Sequence, residues 1–303
     1  MSNWKTKFIN DHLQEYESKY FVDNVPIYCL NFENSESYDF HKNHTKGAHL
    51  RELEKQKYHQ IYWESPYYKK TLDKFLSGIK LQNSLILDFG CGDGRFTNYL
   101  LNNKADKIIC IDFDLNTLIS LSHFINENVF SEKVILIHGD YDSIPFNKPI
   151  FDLILSIGVL YYLNNRYLDS LKCFKNLLSN EGILITSDPQ LESFILRALI
   201  FDNLDVATQT FKSKCFKETK LDSGFKFRAF DETEWLILFR EAKLKVLGKQ
   251  NISFFHNLIR VLHLRGIITK SDLDRNNQAI WEMFDYLHEH GNLAKHVVWK
   301  LTS

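Results

Sequence analysis

The stretch LILDFGCGDGRF, residues 85–96, decides the fold of this chain. An apolar run ends at Asp88, glycines follow at positions 90, 92 and 94, and a helical pattern begins directly after them. Glycine lets the backbone turn sharply and approach a ligand closely, because no Cβ is in the way. The stretch therefore predicts a buried strand, a tight turn suited to a ligand, and a helix.

Short apolar runs and helical patterns alternate around this turn. Such alternation predicts βαβ units, a parallel sheet and an α/β fold class. The predicted strands are 84–89, 107–112, 134–140, 151–158 and 182–188, and the predicted helices are 60–80, 94–101, 115–126 and 167–178.

The segments outside this alternation predict an extension and two insertions. Residues 1–60 are polar, with a short strand expected near Val25–Leu30, and 61–303 are expected to form the main domain. Insertions are expected at about 189–230, where 204–229 look irregular, and at about 253–290, which look helical. Between them Asp231 and Glu234 have the spacing of a capping box, which predicts a helix start. The chain closes with LAKHVVWKLT, a predicted strand.

Composition and sequence pattern count against a general nucleic-acid binder, a disulfide-rich protein and a membrane-spanning protein. The formal net charge of the 303 residues is −1, which gives no sign of a general affinity for phosphate backbones. The five cysteines are far apart and form no CxxC pair, as expected for reduced thiols in a cytoplasmic protein. We find no signal-peptide pattern and no apolar run long enough for a membrane span.

The glycine turn departs from the two common phosphate-binding patterns. Its spacing is GxGxG, and Arg95 stands where the dinucleotide fingerprint GxGxxG has its third glycine. Asp88, two residues before the first glycine, would repel a pyrophosphate but suits a ligand with an ammonium group. No GK[ST] follows, so the turn is not a P-loop. A plain strand-to-helix turn without a ligand stays open at this point.

Acidic residues end the next two predicted strands. Asp112 lies where a carboxylate accepts both hydroxyls of a ribose, although a solvated strand-end aspartate is an alternative. Asp140 is placed to accept from an adenine amino group, and Tyr141 offers an amide or a ring. The fourth strand ends in SIGVLYYL, whose small residues leave room beneath an adenosine. Open α/β sheets bind ligands at the carboxyl ends of their strands.

This series resembles the class I S-adenosylmethionine-dependent methyltransferases. LDFGCGDG matches the glycine motif, IDFD the ribose-binding acid, GDYDSIPF the adenine segment and FDLILSIGVLYYL the fourth-strand motif. The likeness is close over about residues 60–190 and holds in outline over 230–303. It implies a Rossmann-like seven-stranded sheet in the order 3-2-1-4-5-7-6, with strand 7 antiparallel and helical insertions forming a lid over the substrate.

The resemblance also implies S-adenosyl-L-methionine as the cofactor and a set of contacts. Asp88 would orient the turn and the methionine amino group, and Phe113 would lie against the adenine. Ser156 and Ile157 would contact the methionine part through their backbone. The remaining implied cofactor residues are Gly90, Cys91 and Gly92 along the methionine and ribose, Asp112 on the ribose, and Asp140 and Tyr141 at the adenine.

No catalytic triad is visible, and methyl transfer needs a base only when the acceptor must lose a proton. Tyr161, just after the fourth strand, and His256, which lies seven residues before His263 on a predicted helix, are the candidate catalytic residues. A structural role for each is the alternative.

Four further residues have the chemistry of zinc ligands but no recognised zinc-site spacing. We therefore predict no metal. The four are Cys29, His41, His44 and His49.

The sequence thus predicts an enzyme that transfers a methyl group to an O or N atom of a small molecule. Two alternatives are an RNA or protein methyltransferase and a non-catalytic cofactor-binding scaffold or partner subunit. The near-neutral charge and the absence of an [ND]PPY motif count against nucleic acid. A nicotinamide oxidoreductase is disfavoured by the glycine spacing. The acceptor and the oligomeric state are left open.

Overall fold

The structure is a computed structural model. It describes most of the chain, in separate segments. The segments are 3–13, 16, 18–22, 24–30, 64–163, 166–201, 203–217, 226–253, 258–259, 262–263, 266–290 and 294–303.

Strands and helices alternate through the middle of the chain, as the apolar pattern predicts. The strands are β1 Ser18–Val22, β2 Val25–Cys29, β3 Ile86–Phe89, β4 Ile108–Asp112, β5 Val134–His138, β6 Phe151–Ile157, β7 Leu178–Pro189, β8 Cys215–Lys217, β9 Lys226–Arg228, β10 Lys245–Ser253 and β11 Ala294–Thr302. The helices are α1 Asn3–His12, α2 Ser65–Phe75, α3 Arg95–Asn102, α4 Leu115–Glu127, α5 Tyr167–Leu177, α6 Leu191–Phe201, α7 Leu204–Ser213, α8 Glu232–Glu241, α9 Lys270–Arg275 and α10 Asn277–His290.

The main sheet has nine strands in the order β1-β2-β5-β4-β3-β6-β7-β11-β10. Strands β2 to β7 run parallel within it, and β11 lies antiparallel between β7 and β10. Counted from β5 to β10, the order is the predicted 3-2-1-4-5-7-6 with an antiparallel seventh strand. The predicted fold class is confirmed, but the predicted count of seven strands was too low by two.

The two additional strands come from the predicted N-terminal extension. β1 and β2 form an antiparallel hairpin, and β2 pairs parallel with β5 at the edge of the sheet. Ile27 and Tyr28 are buried there, at 0% and 1% exposure. A continuous apolar run such as VPIYC is typical of a strand covered on both faces. The strand expected near Val25–Leu30 is confirmed, and it belongs to the sheet.

Both faces of the sheet are covered by helices. Ile86 and Ile108 belong to the apolar cluster on one face, while Leu87 and Ile109 belong to the cluster on the other, and all four are 0% exposed. Because neither face meets water, each central strand is apolar throughout instead of alternating with polar residues. This is why the strand positions are evident in the sequence.

The described parts of the segment 204–229, which are 204–217 and 226–229, have regular structure that the sequence does not indicate. They contain helix α7 and the β8–β9 hairpin, so the expectation of irregular structure was wrong. Asn203 caps α7 by accepting from the Val206 amide at 2.9 Å. Ala207 and Phe216, at 3% and 1% exposure, pack in one cluster with α6. The apolar residues of the segment are sparse, and its helix and strands are stabilised by this tertiary packing. The local sequence pattern does not reveal such packing.

Helix α8 begins as predicted. The Asp231 side chain accepts from the Glu234 amide at 2.9 Å, and the Asp231 amide donates to the Glu234 carboxylate at 3.0 Å.

No helix in the described part of the chain combines the length and apolar character needed to cross a membrane.

Candidate active site

A cavity lies at the carboxyl ends of β3, β4, β5 and β6. Five of the predicted cofactor residues line it: Gly90, Asp112, Phe113, Asp140 and Tyr141. The rest of its wall is mostly apolar. Among the described residues that line the cavity, none is a lysine or arginine. The site therefore offers acceptors and apolar surface, and no cation for a phosphate.

The glycine turn fits only without a side chain at its first glycine. Gly90 has a φ of +70°, and a Cβ there would lie 2.3 Å from Cγ2 of Val159. The amides of Gly90 and Cys91 both donate to the carbonyl of Ile111, at 2.8 and 3.2 Å. The turn is thus held on β4 and packs directly against the segment that follows β6.

The Asp112 carboxylate is fixed by two backbone amides. One oxygen accepts from Gly92 N at 2.7 Å and the other from Asp114 N at 2.9 Å. Burial raises the pKa of Asp112 to about 6, although these two bonds oppose the shift. The amide of Phe113 also opposes the shift, and because a carboxylate has about four acceptor positions, acceptor capacity remains for ligand hydroxyls. The predicted glycine turn and the predicted ribose acid are therefore one bonded unit.

Asp140 begins a short 3₁₀ turn, Tyr141–Ser143. Its side chain accepts from the amides of Asp142 and Ser143 at 3.0 and 3.1 Å, and its own amide donates to the Ser143 hydroxyl at 2.8 Å. The Arg166 guanidinium covers the Tyr141 ring at 4.9 Å. These contacts fix the backbone and the ring at the predicted adenine end.

Asp88 lies beneath the turn and does not line the cavity. One of its oxygens accepts from the Thr97 hydroxyl at 2.6 Å, and the side chain is 2% exposed. Burial raises the pKa of Asp88 to about 6. The carboxylate ties β3 to α3, and its predicted contact with a methionine amino group stays a prediction.

The other predicted cofactor residues also lie outside the described cavity lining. Cys91 and Ile157 are buried, at 6% and 8% exposure. Ser156 is 0% exposed, and its hydroxyl has no hydrogen-bond partner in the described structure. The predicted contacts of Cys91, Gly92, Ser156 and Ile157 stay predictions.

Tyr161 lies beside the cavity segment, next to Tyr162, with 4.0 Å between the two ring centres. Its amide donates to the Asp188 carboxylate at 3.1 Å. Burial raises the pKa of the Tyr161 hydroxyl well above its usual value, so this hydroxyl keeps its proton at neutral pH. The other candidate catalytic residue, His256, lies outside the described residues.

The sequence reasoning missed Asp188, at the end of β7. It is 2% exposed, accepts from the Tyr161 amide and, at 3.4 Å, from the Thr186 hydroxyl, and burial raises its pKa. Asp188 thereby holds the segment after β6, which supplies Gly158, Val159 and Tyr162 to the cavity. An aspartate directly after a fifth strand was the available signal.

A second missed feature is a buried polar contact between distant elements. The Tyr68 hydroxyl of α2 lies 3.0 Å from the Ser187 hydroxyl and 2.9 Å from Nδ1 of His296. These partners are 119 and 228 residues away in the sequence. No local pattern relates them.

Within the described residues, no group of three His, Cys, Asp or Glu side chains is placed to hold a metal ion. Cys29 is described and buried. His41, His44 and His49 lie outside the described residues, so the absence of a metal stays a prediction.

Comparison with known proteins identifies a domain in the middle of the chain. The family model of the methyltransferase domain matches residues 87–186, which run from β3 to β7 and contain all the residues that line the described cavity. Residues 87–186 form a methyltransferase domain. The resemblance to class I S-adenosylmethionine-dependent methyltransferases is thereby confirmed, and the family implies S-adenosylmethionine as the cofactor.

Curated relatives share parts of this chain. A tRNA U34 carboxymethyltransferase from Saccharophagus degradans is 29% identical over 123 residues, which are 40% of this chain and 37% of that protein. Ribosomal RNA small subunit methyltransferase A from Mesomycoplasma hyopneumoniae is 26% identical over 145 residues, 46% of this chain and 52% of that protein. The matches thus span about a third and about half of the curated relatives.

A solved structure has the same fold. The S-adenosylmethionine-dependent methyltransferase from Mesorhizobium loti superposes with a TM-score of 0.51 at 12% identity, over 77% of this chain and 96% of that one. At this identity the likeness concerns the architecture of the methyltransferase domain.

Proposed function

We propose that this protein is an S-adenosylmethionine-dependent methyltransferase that acts on an O or N atom of a small molecule. The observation that carries the proposal is the cavity, where Asp112 and Asp140 are in the lining and no cation is among the described lining residues. An adenosyl sulfonium has ribose hydroxyls, an adenine amino group and a positive charge, and no phosphate. Its chemistry complements this cavity, whereas that of a dinucleotide does not.

The residues of the site fit the cofactor in named roles. The free acceptor positions of Asp112 receive the ribose hydroxyls, and Phe113 and Tyr141 supply ring surface for the adenine. Gly90 leaves room for close approach of the backbone. When bound, S-adenosylmethionine supplies a methyl group that the sulfonium makes electrophilic.

Positioning is the main work that remains for the chain. Oriented reactants are worth on the order of 7–11 kcal/mol. The segment after β6, held by Asp188, fixes Tyr161 beside the cavity. Because the Tyr161 hydroxyl stays protonated at neutral pH, we assign it the role of a hydrogen-bond donor to the acceptor. If Tyr161→Phe or His256→Ala keeps wild-type turnover, that residue has no part in the mechanism.

Two features support a small acceptor. The insertion after β7 packs as a compact apolar cluster against Tyr161 and Tyr162, and a small molecule needs such enclosure. Two cations of the insertion are paired with carboxylates: Lys214 lies 2.8 Å from Asp231, and Arg228 lies 3.0 Å from Glu234. Charges neutralised in this way add little to binding of a phosphate backbone.

RNA is the second candidate acceptor class. The observation that favours it is that both curated relatives are named for RNA modification, of tRNA in one case and of ribosomal RNA in the other.

A transfer assay separates the acceptor classes. The wild type and Asp112→Ala are incubated with cofactor carrying a tritiated methyl group and, separately, a small-molecule extract, total RNA and total protein. We expect label in the small-molecule fraction with the wild type only. Label in RNA that ribonuclease removes would replace the small-molecule proposal with the RNA one.

A binding assay tests the cofactor. Calorimetry with S-adenosylhomocysteine is expected to show binding, and calorimetry with NAD is expected to show none. Tight NAD binding would contradict the proposal. Binding of S-adenosylhomocysteine without transfer to any acceptor pool would favour the scaffold alternative.

A further inference from the structure

The cavity lies in a crevice between two walls that come from separate parts of the sheet. One wall follows β5 and includes Asp140 and Tyr141, and the other follows β6 and includes Leu163. Strands β4 and β3 lie between β5 and β6 in the sheet, so the walls begin about 14 Å apart, at three strand spacings of about 4.8 Å. Strand pairing does not join the walls directly, and a direct link between them depends on side chains.

Arg166, the residue before α5, spans this crevice. Its guanidinium forms an ion pair with the Asp142 carboxylate and lies over the Tyr141 ring, 4.9 Å from the ring centre. Asp142 and Tyr141 belong to the turn after β5, whereas Arg166 belongs to the segment after β6. The two contacts of Arg166 therefore join one wall to the other.

Each end of this ion pair is one hydrogen bond away from a residue that lines the cavity. The Asp142 amide donates to the Asp140 carboxylate at 3.0 Å, and the Arg166 amide donates to the Leu163 carbonyl at 3.0 Å. Asp140 and Leu163 both line the cavity. Opening of the ion pair is therefore expected to loosen both walls.

The contacts that join the walls are weak enough to open in water. The side chains of Arg166 and Asp142 are 36% and 24% exposed, so solvent and salt compete with their pairing. Burial raises the pKa of the Tyr141 hydroxyl to about 12, so this ring is neutral and attracts Arg166 only as a cation–π partner. The walls are thus held together by contacts that break and re-form readily.

We propose that the Arg166–Asp142 ion pair is a clasp between the two walls, and that a ligand enters and leaves the cavity when this clasp opens. The inference rests on the proposed function, in which the ligands are S-adenosylmethionine and its product S-adenosylhomocysteine. Neither Arg166 nor Asp142 lines the cavity, so the clasp does not favour the bound state by direct contact. It therefore slows entry and release alike and changes the affinity little.

The rates of ligand binding test the clasp. Surface plasmon resonance measures association and dissociation of S-adenosylhomocysteine on the wild type, Arg166→Gln, Asp142→Asn and the double variant Arg166→Asp with Asp142→Arg. The ligand is a zwitterion without net charge, so added salt acts mainly on the protein.

The chain offers a closely matched control, Arg228→Gln. Arg228 pairs with Glu234 at side-chain exposures of 36% and 23%, and it lies over the Phe230 ring at 5.4 Å. It therefore has the same two kinds of contact at the same exposure as Arg166. None of these three residues lines the cavity or belongs to the turn after β5.

Arg166→Gln is expected to raise both rates about 3- to 30-fold, the range for loss of a partly exposed ion pair and a cation–π contact. Asp142→Asn should raise both about two- to fivefold, because Arg166 still lies over Tyr141. The dissociation constant should change less than either rate. The exchanged charges should return both rates toward those of the wild type, and Arg228→Gln should change neither rate.

Salt gives a second test on the unmodified protein. Raising the salt concentration should speed both steps in the wild type, because the exposed pair is screened, and should have little effect in Arg166→Gln. This measurement needs no variant that depends on correct refolding, so it holds even if the double variant does not fold.

Three results would overturn the inference. Faster dissociation with unchanged association would make Arg166 a static support of the bound state. Rates that do not change in Arg166→Gln, or that respond to salt equally in Arg166→Gln and the wild type, would mean that the ion pair does not control access. If the wild type does not bind S-adenosylhomocysteine, the proposed function itself fails, and this result differs from tight binding with rates that are independent of Arg166.

Discussion

The carboxyl edge of the sheet has two halves that are built differently. In the first half, at β3, β4 and β5, the two acids that line the cavity are held by nearby backbone: Asp112 by the amides of Gly92 and Asp114, and Asp140 by those of Asp142 and Ser143. In the second half, at β7 and β11, contacts join distant residues, such as Tyr68 and His296. The first half is local and recognisable in sequence, and the second exists only once the sheet has formed.

The halves differ in what a substitution should change. In the first half the bonded groups belong to the proposed cofactor site, so their loss should reduce binding. In the second half the polar groups are buried among themselves, so their loss should reduce stability first. Four substitutions test this division, and their expected effects decrease from Gly90→Ala to Asp88→Asn.

Gly90→Ala should disrupt the first half most. The new Cβ would meet Val159 at 2.3 Å in a backbone conformation with positive φ, and strain and overpacking together cost about 3–4 kcal/mol. Chemical denaturation should show this loss, and calorimetry should show no binding of S-adenosylhomocysteine. The control is Gly78→Ala, with a φ of +79° and nothing within 4 Å, which should cost about 1 kcal/mol. Equal losses would mean that Val159 simply moves aside.

Asp112→Ala should lower affinity for S-adenosylhomocysteine about 100-fold, because hydrogen bonds to a charged group are worth about 1.5–3 kcal/mol. Calorimetry on the folded variant measures this. Asp152→Ala is the matched control, since Asp152 also accepts a backbone amide, that of Leu85, but at the opposite edge of the sheet. If Asp112→Ala binds S-adenosylhomocysteine as tightly as the wild type does, the ribose does not contact Asp112.

Tyr68→Phe tests the second half. It removes the hydroxyl shared by Ser187 and His296 in a fully buried place, at a cost of about 2 kcal/mol. Thermal unfolding should show the loss while binding of S-adenosylhomocysteine changes little, because Tyr68 does not line the cavity. Tyr67→Phe on the same helix removes a longer, partly buried bond to Asp285, at 3.3 Å, and should cost less. A large loss of binding with unchanged stability would erase the division between the halves.

Asp88→Asn should stabilise the protein at neutral pH by about 1 kcal/mol, since one pKa unit corresponds to about 1.4 kcal/mol. The folded pKa of Asp88 is raised to about 6 by burial, so the folded state holds this proton more tightly than the unfolded state. The free energy of unfolding therefore falls as pH rises from about 4 to about 6. Asn still accepts from Thr97.

Denaturation across this pH range compares the wild type with Asp88→Asn. The wild type should lose stability with rising pH more steeply than the variant. Asp112 contributes a fall of the same sign, because burial also raises its pKa to about 6. If the free energy of unfolding of the wild type and of Asp88→Asn depends on pH in the same way, ionisation of Asp88 costs the folded state little free energy.

Much of the first half follows from local pattern. Apolar runs that are buried on both faces mark β3 to β7, and glycines and acids mark their ends, so the cofactor side was predicted with five of its residues in the cavity. The join of β2 to β5 was not predicted, because pairing partners across a sheet leave no local period. The same reason hid α7, the β8–β9 hairpin and Asp188, whose partner is the amide of Tyr161.

The sequence by itself determined the parallel α/β core, its strand order through family resemblance, and the chemistry at the ends of the first three strands, because burial period and turn chemistry act between near neighbours. Only the tertiary structure decided that the N-terminal hairpin extends the sheet, that Asp188 holds the segment beside the cavity, and that Tyr68 meets Ser187 and His296. These arrangements depend on contacts between residues far apart in the chain, which form when the elements pack and are not encoded in any one segment.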